Sequence, residues 1–513
     1  MVELHYAAVL RKGQMHCENK EYMQAQTIAE MLLARNKKDV NALLLLGLVH
    51  KGKTRFSEAI ACFEKCIALD PKTPDHYLNL GTVLSLLGRT KLAIARFEKA
   101  RKLRPDDPRI IVAVVDAYEK AGEKDKALEL LDPFIQAGAD DVHMAFNYAN
   151  IKVSQKEPEK AIAALLRHVH EPMVPPSFFF VLGKAYEATG DFDRAFHAYS
   201  AGNVTNSGDF DLEKHIQLID DMIEVFNPAN LARLPQAKHG SKKPVFVVGR
   251  PRSGTTLIES ILDAHPQIAG IGEDSMIANI ASDLGFTIGS TLSYPKSVGD
   301  MDQGDVERLG AMYLEHIDML GKNATRVVDK SLANYLNLGL IQLLFPLATV
   351  IHCRRNAIDN CWGCFVENLH EHKYTTDLHN LGITHRHYER LMRHWHKVLD
   401  LSILDIDYEE VVADQEGMSR KIIEFCGLPW DDRCLRFYES SAQRNVKAAI
   451  TLSYDQVRRP IYKTSVGRAK KFEQHLGPLF EALAEGQAQV EAKERASCLS
   501  PSLEGGGEGV GEA

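Results

Sequence analysis

Through the first two hundred residues one apolar pattern returns every 34 positions. Alanine stands at 25, 59, 93, 127, 161 and 195. Glycine keeps the same period at 13, 47, 81 and 183. A large apolar residue follows the alanine at Phe63, Phe97, Leu131, Leu165 and Tyr199. Pro71 and Pro105 close two of the units. A unit of this length with this patterning predicts two amphipathic helices. The small residues let neighbouring helices approach, the large one fills the gap, and proline ends the unit because it cannot continue a helix. An all-α solenoid over residues 1–205 follows.

Residues 206–243 predict one helical stretch, Leu212 to Phe226, and then a polar, basic hinge, NLARLPQAKHGSKK. From 244 the pattern changes. Apolar runs too short for helices alternate with amphipathic segments, which predicts an α/β domain with a parallel sheet over 244–485. Four runs end directly in polar chemistry. PVFVV leads into GRPRSGTT, RVV into Asp329 and Lys330, TVIHC into Arg354 and Arg355, and LSILDI into Asp407, Tyr408 and Glu409. Ligands of open parallel sheets sit outside the carboxyl ends of the strands, so this rim predicts an anion site. The tail, 486–513, predicts helix at first and then flexible chain.

Composition narrows the class. With 45% hydrophobic and 25% charged residues in a chain of 513, two or three globular domains are expected. The net charge of −8 argues against coating nucleic acid and still permits a local basic pocket. The opening MVELHYAAVLRKGQ has no signal-peptide stretch, and no apolar run of about 18 residues predicts a membrane span. The nine cysteines show no metal-ligand spacing. Cys361 and Cys364 form a C-x-x-C without a second pair. Cys353, Cys361, Cys364, Cys426 and Cys434 are therefore expected as free, buried thiols in a cytoplasmic, reducing setting.

The stretch VVGRPRSGTTLIESIL spaces Gly249 and Gly254 as a nucleoside-triphosphate-binding loop does, yet Thr255 stands where that loop carries lysine. Leu257, Ile258, Ile261 and Leu262 give the following helix an apolar stripe. Its N-terminus would aim unpaired N–H groups at an anion. A dipole contribution of roughly 0.3–2 kcal/mol cannot hold a multiply charged ligand alone, so Arg252 and Lys330 are the natural added cations.

The string GRPRSGTTLIESILDAHPQIAGIGE resembles the opening of sulfotransferases that use the phosphosulfate nucleotide PAPS. It is most similar to tyrosylprotein sulfotransferases and to bacterial proteins that join tetratricopeptide repeats to a sulfotransferase domain. The 34-residue period resembles those repeats. The resemblance implies that Arg252, Ser253, Gly254, Thr255 and Thr256 cradle the 5′-phosphosulfate, and that Glu273 is the catalytic base. It places Lys330 on the bond being cleaved, Arg355 on the 3′-phosphate, Tyr408 beside the adenine and Ser453 near the sulfuryl group. Sulfuryl transfer, by analogy with phosphoryl transfer, rests on positioning and charge stabilisation. It needs a carboxylate to take the acceptor proton and a cation where charge grows on the leaving oxygen, and no metal is expected. On residue type alone, Glu273 reads as an acid opening a helix, and Asp329–Lys330 as an internal ion pair. Arg354 and Arg355 compete for one role, with solvent the alternative for Arg354.

Two departures stand out. Gly363 replaces the family's serine eight residues after Arg355, and Ala469 in SVGRAKKF replaces a tryptophan. Losing that serine hydroxyl costs roughly 0.5–1.5 kcal/mol of donor binding, or up to about 3 if its acceptor is charged. Arg468, Lys470 and Lys471 either restore 3′-phosphate affinity or form a solvated basic face. The expected activity is PAPS-dependent transfer to an acceptor hydroxyl, protein tyrosine first and glycans or small molecules second. The rivals are an NTPase with Asp329 holding magnesium, and an interaction scaffold whose second domain is inactive. For the repeats, a groove for peptides or proteins and a structural role, as a scaffold or homodimer contact, stay open.

Overall fold

A computed structural model of the chain describes residues 2–321, 323–369, 371–441 and 459–499. Its contacts divide the chain into two units, residues 1–198 and 199–513. The first is a run of helix pairs, beginning with Val2–Glu18 and Tyr22–Arg35 and ending with Pro176–Thr189 and the first half of Phe192–Asn206. All six alanines of the 34-residue ladder are fully buried. A Cβ on Gly47 would meet the Phe63 ring at 2.5 Å, and one on Gly81 would meet Phe97 at 2.5 Å. Glycine on the first helix of a pair thus makes the hole that the aromatic residue of the second fills. Asp39, Asp107 and Asp141 start three of the helices by accepting backbone N–H bonds of the first turn.

The second unit is built on a five-stranded parallel sheet in the order β2-β3-β1-β4-β5. The strands are β1 (Pro244–Gly249), β2 (Ile268–Gly272), β3 (Arg326–Asp329), β4 (Thr349–Arg354) and β5 (Ser402–Asp407). Alternate residues feed two cores. Phe246 and Val248 join Leu391 and Trp395 on one face; Val245 and Val247 join Ile258 and Ile261 on the other. Every residue of β1 is buried, as a central strand of a sheet covered on both faces requires.

The sequence pattern announces four strands, and the structure has a fifth. The missed one, IAGIG, is short and carries two glycines, so neither alternation nor β-propensity marks it. The expected boundaries also shift. Residues 199–206 belong with the second unit, where Tyr199 packs edge-on to Trp362 and Asn203 Nδ2 donates to the Phe365 carbonyl at 2.7 Å. Leu212–Val225 packs there too, against the Leu378–Val398 helix. The boundary at 485 falls inside the helix Gly477–Leu499, which packs on Leu378–Val398. Its Lys493 pairs with Asp220, and its Glu494 with Arg393. No helix among the described residues is long and apolar enough to cross a membrane.

Candidate functional site

Each strand hands its next residue to one rim. The glycine loop follows β1, Glu273 follows β2, Lys330 follows β3, Arg355 follows β4 and Tyr408 follows β5. The loop closes tightly. Gly249 has φ +155, and a Cβ there would lie 2.6 Å from the Cys353 carbonyl oxygen. Gly254 has φ +96 and no room for a Cβ, because the Tyr408 ring would be 2.7 Å away. Arg252 takes φ +66, unusual for a side-chain-bearing residue, and backbone strain of this kind concentrates at ligand clamps. The Thr255–Asp263 helix starts at Gly254 and turns its N-terminus to the loop.

Two clusters form on this rim. The first is a cleft lined by Arg252, Thr255, Thr256, Arg355, Tyr408 and Tyr462, among others. The Arg355 guanidinium lies 5.0 Å over the Tyr408 ring. It donates to the carbonyls of Arg252 at 2.9 Å and Ser465 at 2.5 Å. Burial lowers the Arg355 pKa, and Tyr408 and Asp359 act against that shift. Asp359 anchors the cleft's far wall by accepting from Gly467 N at 2.5 Å and Ala469 N at 2.9 Å. The enclosed space is about 60 Å³, below the roughly 300 Å³ at which ligand pockets begin, with Arg459, Ile461, Tyr462 and Ser465 on its far side.

The second cluster surrounds Lys330. Its backbone N–H donates to the Gly272 carbonyl at 3.0 Å, which sets it beside Glu273. The ammonium is 1% exposed and lies 2.6 Å from Glu273 Oε1, whereas Glu273 itself is 48% exposed. A second carboxylate, Glu259, sits 3.8 Å from the same ammonium and accepts from Gly272 N at 2.9 Å. Burial pushes the Glu259 carboxyl up to about 7, although Lys330 pulls it down. Glu259 and Asp359 were missed in the sequence. Glu259 stands beside an apolar stripe and reads as a solvent-facing helical acid, and nothing local marks either partner.

The internal Asp329–Lys330 pair is not formed. Asp329 turns away from the ammonium and accepts from Tyr313 Oη at 3.0 Å and Ser331 N at 2.9 Å. Burial raises its carboxyl to about 6. Arg354 is 44% exposed and clamped to Asp405 and Asp407, which leaves Arg355 facing inward. Ser253 keeps its backbone in the loop, but its hydroxyl is buried without a partner, outside the cleft lining. Arg468 is also outside that lining; its Nη2 donates to Tyr199 Oη at 3.4 Å. Lys470 and Lys471 are exposed. Gly363 borders the cleft cations, since a Cβ there would lie 3.4 Å from Arg252 Cβ and 3.5 Å from Arg355 Nη1. Ser453 lies outside the described residues. The five predicted thiols, Cys353, Cys361, Cys364, Cys426 and Cys434, are free and buried.

The chain carries a sulfotransferase-family domain behind tetratricopeptide repeats. Residues 244–432 match the sulfotransferase family model, and residues 44–108, 84–145 and 115–177 match tetratricopeptide-repeat models. An uncharacterized protein of Aquifex aeolicus is 31% identical over 399 residues, covering 75% of this chain and 51% of that protein. Protein-tyrosine sulfotransferase A of Caenorhabditis elegans is 24% identical over 230 residues, covering 42% of this chain and 58% of its own length. The chain thus spans only about half of these relatives. Among solved structures, a tetratricopeptide repeat protein from Parabacteroides merdae aligns with TM-score 0.34 and 14% identity, covering 39% of this chain and 79% of that one.

Proposed function

We propose that the second unit is a PAPS-dependent sulfotransferase that transfers a sulfuryl group to an acceptor hydroxyl, with peptidyl tyrosine as the first candidate. The observation that carries this is the buried Lys330 ammonium, 2.6 Å from the half-exposed Glu273 carboxylate at the ends of neighbouring strands. The sulfur–oxygen bond to the 5′-phosphate breaks, a bond from sulfur to the acceptor oxygen forms, and PAP leaves. Glu273, reachable from solvent, takes the acceptor proton. Lys330, whose ammonium is buried, stabilises the charge that grows on the leaving oxygen. The loop's backbone N–H groups with Thr255, Thr256 and Arg252 hold the phosphosulfate, Arg355 the 3′-phosphate, and Tyr408 offers a ring to the base. Ser453 and Arg468 are assigned to the donor only by resemblance. No metal is assigned a step. The tyrosine acceptor is taken from the names of the tyrosine-sulfotransferase relatives, with glycans and small alcohols as competing acceptors.

The repeats fit a peptide- or protein-binding role, since stacked helix pairs of this kind offer extended surfaces to partners. A second reading, an interaction scaffold with an inactive second unit, is favoured by Gly363 and Ala469. Calorimetry with PAP separates the two: binding supports the enzyme, and no binding supports the scaffold. The functional test is a PAPS-dependent screen against peptide, glycan and phenol acceptors, with Glu273→Gln as control. Turnover retained in that variant would move the base elsewhere.

A further inference from the structure

A second cavity, of about 290 Å³, lies between β4–β5 and the Leu378–Val398 helix, and the donor reading makes no use of it. Its lining includes five arginines, Arg250, Arg354, Arg355, Arg386 and Arg393, against two carboxylates, Glu389 and Asp405. Three of these arginines have carboxylate partners. Arg354 is held by Asp405 and Asp407, Arg386 by Glu389 and Arg393 by Glu494.

Arg250 is different. It is 2% exposed, and among the described residues no carboxylate lies within ion-pair distance of it. Nη1 and Nη2 both donate to one hydroxyl, Thr384 Oγ1, at 3.2 and 3.3 Å. Nε has no acceptor. The rings of Tyr374 and Tyr388, at 4.9 and 5.9 Å, give it cation–π contact. That contact is weaker than what a guanidinium loses on leaving water without a counter-charge, and arginine cannot shed its proton to escape the cost. Four more buried atoms of the same lining lack partners: His385 Nδ1, Ser253 Oγ, Asn360 Oδ1 and Arg355 Nε. Five orphaned polar atoms, two of them on arginines, lining a roomy basic cavity describe a built binding site. Exposed arginines, Arg354 and Arg393, stand at its open side.

We propose that this cavity binds a small oxyanion, phosphate or sulfate, either free or as the head of an ester, with Arg250 as its counter-charge. Two walls of the cavity, Ser253 and Arg355, also belong to the donor loop or cleft, so an occupant here would touch the back of the donor site. The inference does not depend on the donor reading.

The test uses the full chain. Crystals soaked in selenate should show an anomalous peak within hydrogen-bond distance of the Arg250 guanidinium. In solution, sulfate and phosphate should raise the melting temperature, and calorimetry should give an affinity at least tenfold weaker in Arg250→Met. Without anion, Arg250→Met should melt no lower than the wild type, because an unpaired buried charge is removed. His385→Gln, a milder change, should weaken binding about threefold and serves if Arg250→Met does not fold. A peak confined to residues 252–256, no peak at all, or an affinity unchanged in both variants overturns the proposal. Tighter binding of phosphate than of sulfate, or the reverse, identifies which oxyanion the site prefers once the peak is at Arg250.

Discussion

Glycine does opposite work in the two units. In the repeats, Gly47 and Gly81 leave holes that Phe63 and Phe97 fill, so each missing side chain is replaced by another from the same unit. In the loop, Gly249 and Gly254 are crowded by the Cys353 carbonyl and the Tyr408 ring, and the space they leave lets groups distant in sequence close on the loop. The first use repeats because packing repeats. The second occurs once, and its meaning depends on residues a hundred or more positions away.

The largest expected effect falls on the rim. Glu273→Gln should reduce turnover about 10²–10⁴-fold, the usual worth of a general base, while PAP binding by calorimetry stays within about threefold. Arg355→Ala should do the reverse and weaken PAP more than it slows the bound complex. If both variants lose only affinity, the rim is a binding surface and nothing more.

Next is pH. The folded Glu259 carboxyl keeps its proton up to about 7, whereas the unfolded chain releases it near its ordinary value of about 4.3. Its contribution is therefore fully present below that ordinary value and is lost as pH rises through 7, for a total of about 4 kcal/mol. Asp329, raised to about 6, slopes the same way over a lower window. Chemical denaturation across pH 4–8 should show wild-type stability falling relative to Glu259→Gln. Parallel curves would mean that Glu259 titrates normally.

Gly47→Val probes the other side of the contrast. Overpacking against Phe63 should cost about 1–3 kcal/mol and lower the melting temperature, with kcat of the folded protein unchanged. Gly254→Ala should lower both stability and donor binding, because φ and Tyr408 oppose it together. Equal loss of kcat in the two variants would erase the distinction between packing glycines and loop glycines. The smallest effect is a gain. Gly363→Ser places a hydroxyl beside Arg355 and should tighten PAP about two- to tenfold, one added hydrogen bond's worth of roughly 0.5–1.5 kcal/mol. Unchanged affinity would show that Gly363 does not face the 3′-phosphate.

The repeats were legible because their contacts are local: the ladder from Ala25 to Ala195 names both partners of each packing pair. The sheet was legible in four strands, whose apolar runs end abruptly in charge. The fifth was not, because Ile268–Gly272 is held by the register Ile268↔Arg326 and Ala269↔Val327 with β3, and its own residues have little preference for a strand. For the same reason Lys330 and Glu273 were each visible, whereas their pairing and the part of Glu259 were not. Sequence adjacency pointed to Asp329, but side chains alternate along a strand, so the neighbour faces away and the ammonium meets Glu273, just past β2, and Glu259 of the Thr255–Asp263 helix. Arg250, one residue from the loop glycine, drew no notice because a charge in a loop ordinarily reaches water.

The carboxylate of Asp359, which holds Gly467 and Ala469, has a consequence for the order in which the protein is made. The loop, Glu273 and Lys330 leave the ribosome long before the wall Arg459–Ser465 that faces them. A nascent chain ending before that wall carries the rim residues without the enclosure. The cleft beside the glycine loop is closed only when Asp359 captures Gly467 and Ala469, so it stays open until the segment that follows the sheet has been made.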